Sequence, residues 1–411
     1  MERVRGGVPR RVLWVDHARR ILGGAEVNLV ELLGAACGRG DWESVVACDP
    51  EGPLDEALGR EGVVRVPYRL GDALGTFRAV GRRLPLGRAW RAWRAWLALH
   101  DARKTLATLV AEWDPDVVVS CTNKDHFAAG AVCRGAGVPS VWWVNDALSA
   151  DFFPRTARWL FTVQAWCRAT RCVAVSEFVR RSLLQLGLPG GRVVAVPNGI
   201  PLERYRRREA GVLRGELGLG ADVPLVGMVG RYTPWKGQDL FLKVARDWCR
   251  DGGGGQFVLM GGAFNEDQGY EAALRREAGE GVLRGRVHWV AFRREVTSVL
   301  SDLDLVVHAS RKPEPFGRVL IEAMAAGVPV LAARAGAVPE IIYEGVNGLL
   351  AGPGEVGEYR RQMERGLKDR LLRERLVREG LRTVRERFTV ERVRDGFAGV
   401  FAAVGAGAEE A

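Results

Sequence analysis

The sequence predicts an α/β protein of two Rossmann-like domains, each a parallel sheet wrapped by helices, facing a central cleft. The chain has 411 residues, more than one ordinary hydrophobic core accommodates, which favours two domains of roughly 150 to 200 residues. Short apolar runs typical of buried strands alternate with helical patterns, and the alternation restarts after a charged, irregular stretch at 203–220. We expect an N-terminal domain at 1–195, a C-terminal domain at 196–385, and a helix at 386–411 that packs back on the N-terminal domain and ends in a disordered tip.

Composition narrows the class of protein without identifying a partner. The chain has 60 lysines and arginines against 50 aspartates and glutamates, and most of the basic residues are arginine. A codon bias or adaptation to temperature also produces an arginine excess, so this excess identifies no partner by itself. No segment resembles a signal peptide or reaches the ~20 apolar residues that span a bilayer. The seven cysteines are never spaced CxxC, which favours reduced thiols over disulfides or a zinc site. We therefore expect a cytoplasmic protein.

The N-terminal domain begins with a strand, a glycine turn and a helix. The apolar run RVLWVD precedes Gly23 and Gly24, after which valines and leucines recur at helical spacing. A glycine turn of this kind lets backbone N–H groups approach an anion, although it lacks the GxGxxG spacing of dinucleotide binders, and a plain loop fits equally well.

Polar side chains follow several of the predicted strands of this domain. In parallel sheets wrapped by helices, ligands bind beyond the carboxyl ends of the strands. The residues that the pattern places there are Asp16, Thr122, Asn123, Asn145 and Asp146. We expect them to cluster at a binding cleft.

The segment RAWRAWRAW repeats tryptophan and arginine every third residue. At 100° per residue the three tryptophans stay on one side of a helix, and the arginines lie about 100° away. Tryptophan favours the headgroup region of a membrane, and arginine is attracted to anionic lipid. The pattern suggests a peripheral membrane contact on the inner face of the membrane, against the alternative that the tryptophans pack into the core; no nucleic-acid motif accompanies it. The residues concerned are Arg88, Trp90, Arg91, Trp93, Arg94 and Trp96.

The second domain opens with a strand, a loop and a helix whose loop contains two cations. Arg231 and Lys236 stand in GRYTPWKGQ, which is not a Walker loop because that motif needs GxxxxGK followed by Ser or Thr. A guanidinium and an ammonium at a loop that enters a helix suit a diphosphate. The alternative is a solvated pair of cations.

The stretch PEPFGRVLIEAMAAGVPV predicts a ligand site at the start of a helix. Glu314 lies between two prolines that hold it extended, and Gly317 lets the chain turn into a helix that contains Glu322. Free N–H groups at the helix start suit a phosphate, and the two carboxylates suit hydroxyl groups of a sugar or ribose. The alternative is a surface helix with two solvated glutamates.

Asp302 and Asp304 form a DxD pattern, which in some proteins binds Mg²⁺ or Mn²⁺. No further ligand residues accompany them. We expect one aspartate to cap the preceding turn and the other to begin a strand.

In chain order stand GGAE, NGI, GRYTPWKGQ, EPFGRVLIEAMAAGVPV and AVPEII. With this combination the chain resembles a family 4 glycosyltransferase of the GT-B fold over nearly its whole length. The resemblance implies transfer of a sugar from a nucleotide-diphosphate sugar of the UDP or GDP type to an acceptor hydroxyl, with retention of configuration and with no metal or other cofactor. A role in cell-envelope or polysaccharide glycan synthesis, with a glycan or lipid-linked acceptor, is the corresponding expectation.

The resemblance implies roles for residues that match the family motifs. Arg231 and Lys236 would neutralise the donor diphosphate, Glu322 would bind the ribose hydroxyls, and Glu314 would bind sugar hydroxyls as part of the catalytic set. The N–H groups that would face the sugar and phosphate belong to Phe316, Gly317 and Arg318, and the residues that would line the acceptor side of the cleft are Gly23 and Gly24.

Two positions depart from the family pattern. Asn145 stands where such proteins often have histidine, and Ala337 replaces a motif glycine. Asparagine does not titrate near neutrality, so the base that accepts the acceptor proton would be Asp146 or the donor phosphate. The alternatives are a sugar-nucleotide epimerase or phosphorylase of the same fold, or a nucleotide-sugar-binding protein without activity.

Overall fold

A computed structural model describes residues 11–18, 23–37, 41–70, 86–206, 211–263, 267–293 and 295–406, apart from the side chains of residues 86–96. The chain divides into two compact units. Unit 1 comprises Met1–Asn198 and Val390–Ala411, and unit 2 comprises Gly199–Thr389. Residues 407–411, where the predicted C-terminal segment 386–411 ends in its tip, lie outside the described residues.

The described part of unit 1 contains a parallel sheet in the order β3-β2-β1-β4-β5-β6-β7. Its inner strands run through valine-rich apolar segments that are buried on both faces, as expected for a parallel sheet covered by helices, whereas the edge strand Val64–Pro67 is largely exposed. The order reverses between β1 and β4, which places the carboxyl ends of these strands at a switch point. The strands are β1 Arg11–Asp16, β2 Glu43–Cys48, β3 Val64–Pro67, β4 Val117–Ser120, β5 Ser140–Val144, β6 Arg171–Ala174 and β7 Val193–Ala195.

The helices of unit 1 connect successive strands, and the last one returns from the C-terminal end of the chain. They are α1 Gly24–Ala36, α2 Pro53–Arg60, α3 Leu86–Trp113, α4 Asn123–Ala136, α5 Arg155–Arg168, α6 Glu177–Gln185 and α16 Val390–Ala406. Helix α16 packs against α1, and its Phe397 ring lies 5.3 Å from that of Trp14 and 4.9 Å from that of Trp143. The predicted return of the C-terminal helix to the N-terminal sheet is therefore confirmed.

The described part of unit 2 contains a second parallel sheet, in the order β10-β9-β8-β11-β12-β13. The switch point lies between β8 and β11, so the loops after these two strands lie side by side. The strands are β8 Leu225–Val229, β9 Gln256–Gly261, β10 Val287–Ala291, β11 Leu305–His308, β12 Val330–Ala333 and β13 Leu349–Ala351. The helices are α7 Leu202–Arg206, α8 Val212–Leu217, α9 Gln238–Arg250, α10 Gln268–Ala278, α11 Thr297–Leu300, α12 Arg318–Ala325, α13 Val338–Ile341, α14 Val356–Lys368 and α15 Arg370–Arg387.

The predicted α/β class with two Rossmann-like sheets is confirmed, and the short strand β13 is an addition that the sequence pattern did not predict. The RAWRAWRAW segment lies in the N-terminal half of α3, a 28-residue helix. The side chains of Arg88, Trp90, Arg91, Trp93, Arg94 and Trp96 lie outside the described residues. None of the described helices combines the length and the apolar character needed to cross a membrane.

Candidate functional site

The loop from β8 to α9 positions the two cations predicted from GRYTPWKGQ. Arg231 is exposed, and its guanidinium makes no hydrogen bond or ion pair with the described residues. Gly237, the residue before α9, has φ +82°, and a Cβ atom there would lie 2.2 Å from the carbonyl oxygen of Ala309. Only glycine fits this close approach, which brings Lys236 against the end of β11.

Lys236 forms an ion pair with Glu314. Its Nζ lies 2.9 Å from both carboxylate oxygens of Glu314 and 4.3 Å from the centre of the Trp235 ring. His308 Nε2 lies 3.1 Å from Glu314 Oε2, and the Ser310 hydroxyl donates to the same oxygen at 2.9 Å. Oε2 is thus contacted by three groups, while Oε1 accepts from Lys236 alone and retains the capacity to accept from a further donor such as a sugar hydroxyl.

The environment of Glu314 favours its ionised form. Burial by itself would raise the pKa of this carboxyl, but the Lys236 ammonium and the His308 hydrogen bond outweigh burial and hold the pKa well below its usual range. Glu314 is therefore a carboxylate throughout the physiological pH range. It can accept hydrogen bonds from a ligand, and it does not donate a proton near neutrality.

The backbone around Glu314 is fixed by Gly336. A parallel bridge joins the two residues, and Ala337 N donates to Glu314 O at 2.9 Å. Gly336 has φ +65°, and a Cβ atom there would lie 2.3 Å from Glu314 O and 2.4 Å from Glu314 N. The first glycine of GAVPE therefore permits the close approach that holds Glu314, and the substituted position, Ala337, keeps its role through its backbone N–H.

The N-terminus of α12 lies directly after Glu314. Gly317 precedes the helix with φ +98°, a left-handed conformation that glycine adopts without strain. The Phe316 ring is buried 5.9 Å from that of Phe388. The N–H groups of Phe316 and Gly317 form no hydrogen bonds with the described residues. They provide donors, at the positive end of the helix, for an anionic ligand.

Glu322 lies on α12 and is held by two side chains. Arg318 Nε donates to Glu322 Oε1 at 2.7 Å, and the Tyr205 hydroxyl donates to the same oxygen at 3.2 Å. Glu322 Oε2 accepts no hydrogen bond from the described residues. The carboxylate is thus oriented on one side and available on the other, as the predicted ribose contact requires.

In unit 1 the predicted polar residues follow β1, β4 and β5. Asp16 is buried, its Oδ1 accepts from Ala18 N at 2.9 Å, and its Oδ2 has no partner among the described residues. Burial, reinforced by the carboxylates of Glu26 and Asp125, raises the pKa of Asp16 well above its ordinary value. This end of the sheet therefore concentrates carboxyl groups from three elements.

The two candidate site residues after β5, the acceptor-side Asn145 and the catalytic candidate Asp146, have different surroundings. The Asn145 amide donates to the carbonyl oxygens of Cys121, at 3.2 Å, and Trp143, at 3.3 Å, so it ties the ends of β4 and β5 together. The exposed Asp146 accepts a hydrogen bond from the Asn123 amide at 3.1 Å. Asn145 acts on the backbone, whereas Asp146 is placed where a ligand can reach it.

The glycine turn before α1 is occupied by a side chain of its own helix. Gly23 N donates to Glu26 Oε2 at 2.6 Å, and Gly24 is the first residue of α1. Both glycines are exposed. An anion at this helix N-terminus would have to displace the Glu26 carboxylate.

The two aspartates of the DxD pattern have structural roles that differ in part from the prediction. Asp302 accepts from Gly211 N and, at 2.9 Å, from Arg214 N, so it caps the distant helix α8 rather than the turn before it. Asp304 accepts from Arg214 Nη2 at 2.9 Å and from Leu225 N at 2.8 Å. A long-range cap of this kind leaves no local spacing in the sequence.

Three site residues were missed by sequence reasoning. His308 and Ser310 contact Glu314, and Tyr205 contacts Glu322. His308 ends strand β11, and the rule that ligands bind beyond strand ends could have selected it. Tyr205 lies 117 residues before its partner, and no local pattern indicates that contact.

Two Rossmann-like sheets, with a cationic loop and a helix N-terminus in the second, define the class of GT-B glycosyltransferases. Two family models match the chain, one described as Glycosyltransferase Family 4 at residues 22–204 and one as Glycosyl transferases group 1 at residues 212–383. Between them they cover both units. The protein belongs to the family 4 glycosyltransferases of the GT-B fold.

Relatives and solved structures agree with this assignment. D-inositol 3-phosphate glycosyltransferase of Nocardia farcinica is 33% identical over 246 residues, 58% of this chain and 54% of that protein. The match therefore spans about half the length of that relative. The crystal structure of Anabaena HepE in complex with UDP and glucose has a TM-score of 0.80 at 23% identity, covering 96% of this chain and 99% of HepE. Sucrose-phosphate synthase from Thermosynechococcus elongatus has a TM-score of 0.75 at 18% identity, covering 97% and 100%.

Proposed function

We propose that the protein is a retaining glycosyltransferase that moves a sugar from a nucleotide-diphosphate sugar to an acceptor hydroxyl in cell-envelope or polysaccharide glycan synthesis. The observation that supports this most directly is the arrangement at the switch point of unit 2. The unpaired Arg231 guanidinium and the Lys236–Glu314 pair come from adjoining loops, and the N-terminus of α12 follows Glu314. These groups suit a diphosphate and the sugar attached to it.

Stabilisation of the leaving group is the main catalytic contribution in this proposal. When the bond between the sugar and the diphosphate breaks, negative charge grows on the phosphate oxygen. Lys236 and the N–H groups of Phe316 and Gly317 are donors held in place before that charge develops, and the exposed Arg231 guanidinium adds positive charge. Glu314 Oε1 would orient sugar hydroxyls, and the open Oε2 of Glu322 would bind the ribose.

UDP is the favoured nucleotide, with GDP as the alternative. HepE, which shares the fold, has been crystallised with UDP-glucose and with UDP. The Nocardia relative is named for D-inositol 3-phosphate. For this chain we propose a polyhydroxylated acceptor, and the first acceptors to assay are D-inositol 3-phosphate and the free sugars.

The charge of the diphosphate is met by protein groups in this proposal, so the reaction needs no metal. In the residues that the structure describes, the DxD carboxylates are bonded to Arg214 and to backbone N–H groups. Turnover of UDP-glucose in excess EDTA tests this. A complete loss that Mg²⁺ or Mn²⁺ restores would show that a metal takes part.

The test of the donor site is a titration of UDP, GDP and ADP into the wild-type protein and into Arg231→Ala, followed by calorimetry. We expect one nucleotide to bind and the Arg231→Ala variant to lose most of the affinity. Arg375→Ala is the matched control, because Arg375 is an exposed arginine on α15 that forms no ion pair in the described structure. If no nucleotide binds at millimolar concentration, the proposed function fails.

Two further measurements separate this proposal from its alternatives. Nuclear magnetic resonance of the first product formed reports whether the anomeric configuration is retained. Incubation of UDP-glucose without acceptor tests for an epimerase, which would convert the sugar, and addition of phosphate tests for a phosphorylase. Binding without any conversion would identify a nucleotide-sugar-binding protein.

A peripheral contact with anionic membrane is proposed as a second property, supported by helix α5. Trp159 and Trp166 lie seven residues apart on this helix and are 66% and 51% exposed. The helix contains no carboxylate, and among the described residues none of the nearby arginines pairs with one. Exposed tryptophan beside arginines that have no carboxylate partner suits the headgroup region. Four of the nearby arginines line a cavity of about 520 Å³ beside Trp166. They are Arg134, Arg168, Arg171 and Arg192.

A further inference from the structure

His308, the last residue of β11, is a buried histidine whose two ring nitrogens have different surroundings. The residue is 3% exposed, and its Nε2 lies 3.1 Å from Glu314 Oε2 and 3.2 Å from the Ser310 hydroxyl oxygen. Its Nδ1 is also buried but forms no hydrogen bond with the described residues. A buried polar atom without a partner is costly, so the polar interaction that this histidine contributes to the core is made by Nε2.

The backbone of His308 is fixed from two directions. In the sheet the residue pairs with Ala332 of β12, and its carbonyl oxygen accepts a hydrogen bond from the buried Tyr359 hydroxyl at 3.0 Å. A buried ring attached to a paired strand has little freedom to move. The nitrogen that faces Glu314 is therefore held in one position.

The hydrogen bond between the two side chains runs from His308 to Glu314. Although burial by itself would raise the pKa of Glu314, Lys236 and His308 hold this pKa well below its usual range, so the group is a carboxylate. A carboxylate only accepts hydrogen bonds. Nε2 of His308 must therefore carry the proton of this contact.

Three donors occupy Oε2 of Glu314 and leave Oε1 partly free. Besides His308, the Ser310 hydroxyl donates to Oε2 at 2.9 Å, and Lys236 Nζ lies 2.9 Å from it. A carboxylate has about four acceptor positions, two on each oxygen, so Oε2 has none left for a ligand. Oε1 accepts from Lys236 alone. Glu314 can therefore accept a hydrogen bond from one further hydroxyl, and only at Oε1.

We propose that His308 is a positioning residue that determines which hydroxyl of the donor sugar Glu314 recognises, an inference that rests on the proposed function. Together with Ser310, His308 fills Oε2 and so directs the open acceptor position of Oε1 toward a single place in the site. Without His308 both oxygens of Glu314 could accept from a ligand, and the carboxylate would bind whichever hydroxyl lay nearest. The sugar would then still bind, but the hydroxyl at that position would no longer be selected.

The experiment uses calorimetry to measure the affinity for UDP, for UDP-glucose and for analogues of UDP-glucose that each lack a single hydroxyl of the sugar. His308→Leu removes the donor and fills the space. The amide nitrogen of His308→Gln reaches the place of Nε2, whereas the shorter amide of His308→Asn reaches only the place of Nδ1. Tyr359→Phe is the matched control, because it removes a buried hydrogen bond to the His308 backbone and leaves the imidazole in place.

In the wild type we expect the loss of one particular hydroxyl to weaken binding roughly thirtyfold, because a hydrogen bond to a charged group is lost. In His308→Leu and His308→Asn the loss of the same hydroxyl should weaken binding no more than about threefold. Both variants should keep the wild-type affinity for UDP, which has no sugar. His308→Gln should retain most of the discrimination, and Tyr359→Phe should have a lower melting temperature with unchanged discrimination.

A role of His308 in packing alone predicts that His308→Leu weakens the binding of UDP and of every analogue by the same factor, and this result overturns the proposal. The proposal is also overturned if the discrimination survives in His308→Leu, if that variant loses it equally at several hydroxyls, or if the wild type binds all the analogues equally. Nuclear magnetic resonance of ¹⁵N-labelled histidine gives a readout that needs no nucleotide, because a His308 Nε2 without a proton contradicts the donor role. Failure of the proposed function is distinct, since the wild type would then bind neither UDP nor UDP-glucose.

Discussion

The Nζ atom of Lys236 lies 2.9 Å from both carboxylate oxygens of Glu314. The pair joins the loop after β8 to the loop after β11, which are neighbours because these strands adjoin at the switch point of the sheet. Lysine and glutamate neutralise each other there, so Arg231 supplies the net positive charge of this part of the site.

Replacing Lys236 by methionine should leave the buried Glu314 carboxylate without its main counter-charge. Removal of one partner of a buried ion pair costs 3–5 kcal/mol of unfolding free energy, and because Lys236 is about one-fifth exposed we expect about 2 kcal/mol. Turnover should also fall roughly a hundredfold, since a preorganised donor to the leaving group is lost. Urea unfolding and UDP release measure the two effects.

The double variant Lys236→Met with Glu314→Gln is the control for the stability effect. It removes both charges, so it should recover part of the lost stability while turnover remains low. Equal stability of Lys236→Met and wild type would show that the pair does not form. Near wild-type turnover in Lys236→Met would refute its role at the leaving group.

Stability should depend on pH through Glu314. The pKa of this carboxyl is lower in the folded protein than in the unfolded chain, because Lys236 and His308 outweigh burial. Its stabilisation is therefore fully present above the unfolded value, about 4.3 for glutamate, and is lost as the pH falls toward the folded pKa. We expect the unfolding free energy of wild type to fall more steeply below about pH 5 than that of Glu314→Gln. Parallel curves for the two proteins would contradict the shift.

Gly336→Ala should displace Glu314. The added Cβ would meet Glu314 O at 2.3 Å, and the residue also keeps a positive φ. Gly345→Ala is a matched control, because its φ of +68° is similar and nothing lies within 4 Å of the added atom. We expect the control to lose about 1 kcal/mol of unfolding free energy from the left-handed conformation alone, and Gly336→Ala to lose clearly more and to bind UDP more weakly. Equal losses would show that the approach to Glu314 is unimportant.

Tyr205→Phe should weaken nucleotide binding without unfolding the protein. The change removes only the hydroxyl that donates to Glu322 Oε1 at 3.2 Å. A less firmly held carboxylate should reduce UDP affinity roughly fivefold, the equivalent of about 1 kcal/mol. Tyr232→Phe is the control, because its hydroxyl donates to the Leu259 carbonyl inside the core. We expect this variant to lose stability while the folded protein keeps its affinity for UDP. Calorimetry and thermal unfolding distinguish the two variants.

Binding to anionic vesicles should depend on the exposed face of α5. We expect co-sedimentation with vesicles containing phosphatidylglycerol, weak binding to phosphatidylcholine alone, and loss of binding at high salt. Arg171→Gln and Arg192→Gln should each lower the partition coefficient about fivefold, and Trp159→Ala should lower it further. Arg375→Gln, on the exposed surface of unit 2, is the matched control. If binding changes only when Arg88, Arg91 and Arg94 become glutamine, α3 and not α5 forms the contact.

Local patterns were sufficient for most of the strands and helices but not for the contacts between them. The turn into α12 followed from the prolines around Glu314 and from Gly317, because both residue types restrict or release the local backbone. The role of Asp302 was assigned to the wrong turn, because its partners lie 88 and 91 residues away. The bond from the Asn145 amide to the Cys121 carbonyl was likewise not predicted, because it joins the ends of two strands.

Some features depend only on residues that are close in sequence: the alternation of apolar strands with helices, the glycine turns and the spacing of Glu314 and Glu322. From these features the sequence alone determined the two parallel sheets and the position of the candidate donor site. Which side chains are paired, and which remain open, depends on strand order. The pairs of Lys236 with Glu314, of Tyr205 with Glu322 and of His17 with Asp125 join segments 78 to 117 residues apart. Only the tertiary structure decides these contacts, because a carboxylate is oriented by whatever donors the folded chain brings to it.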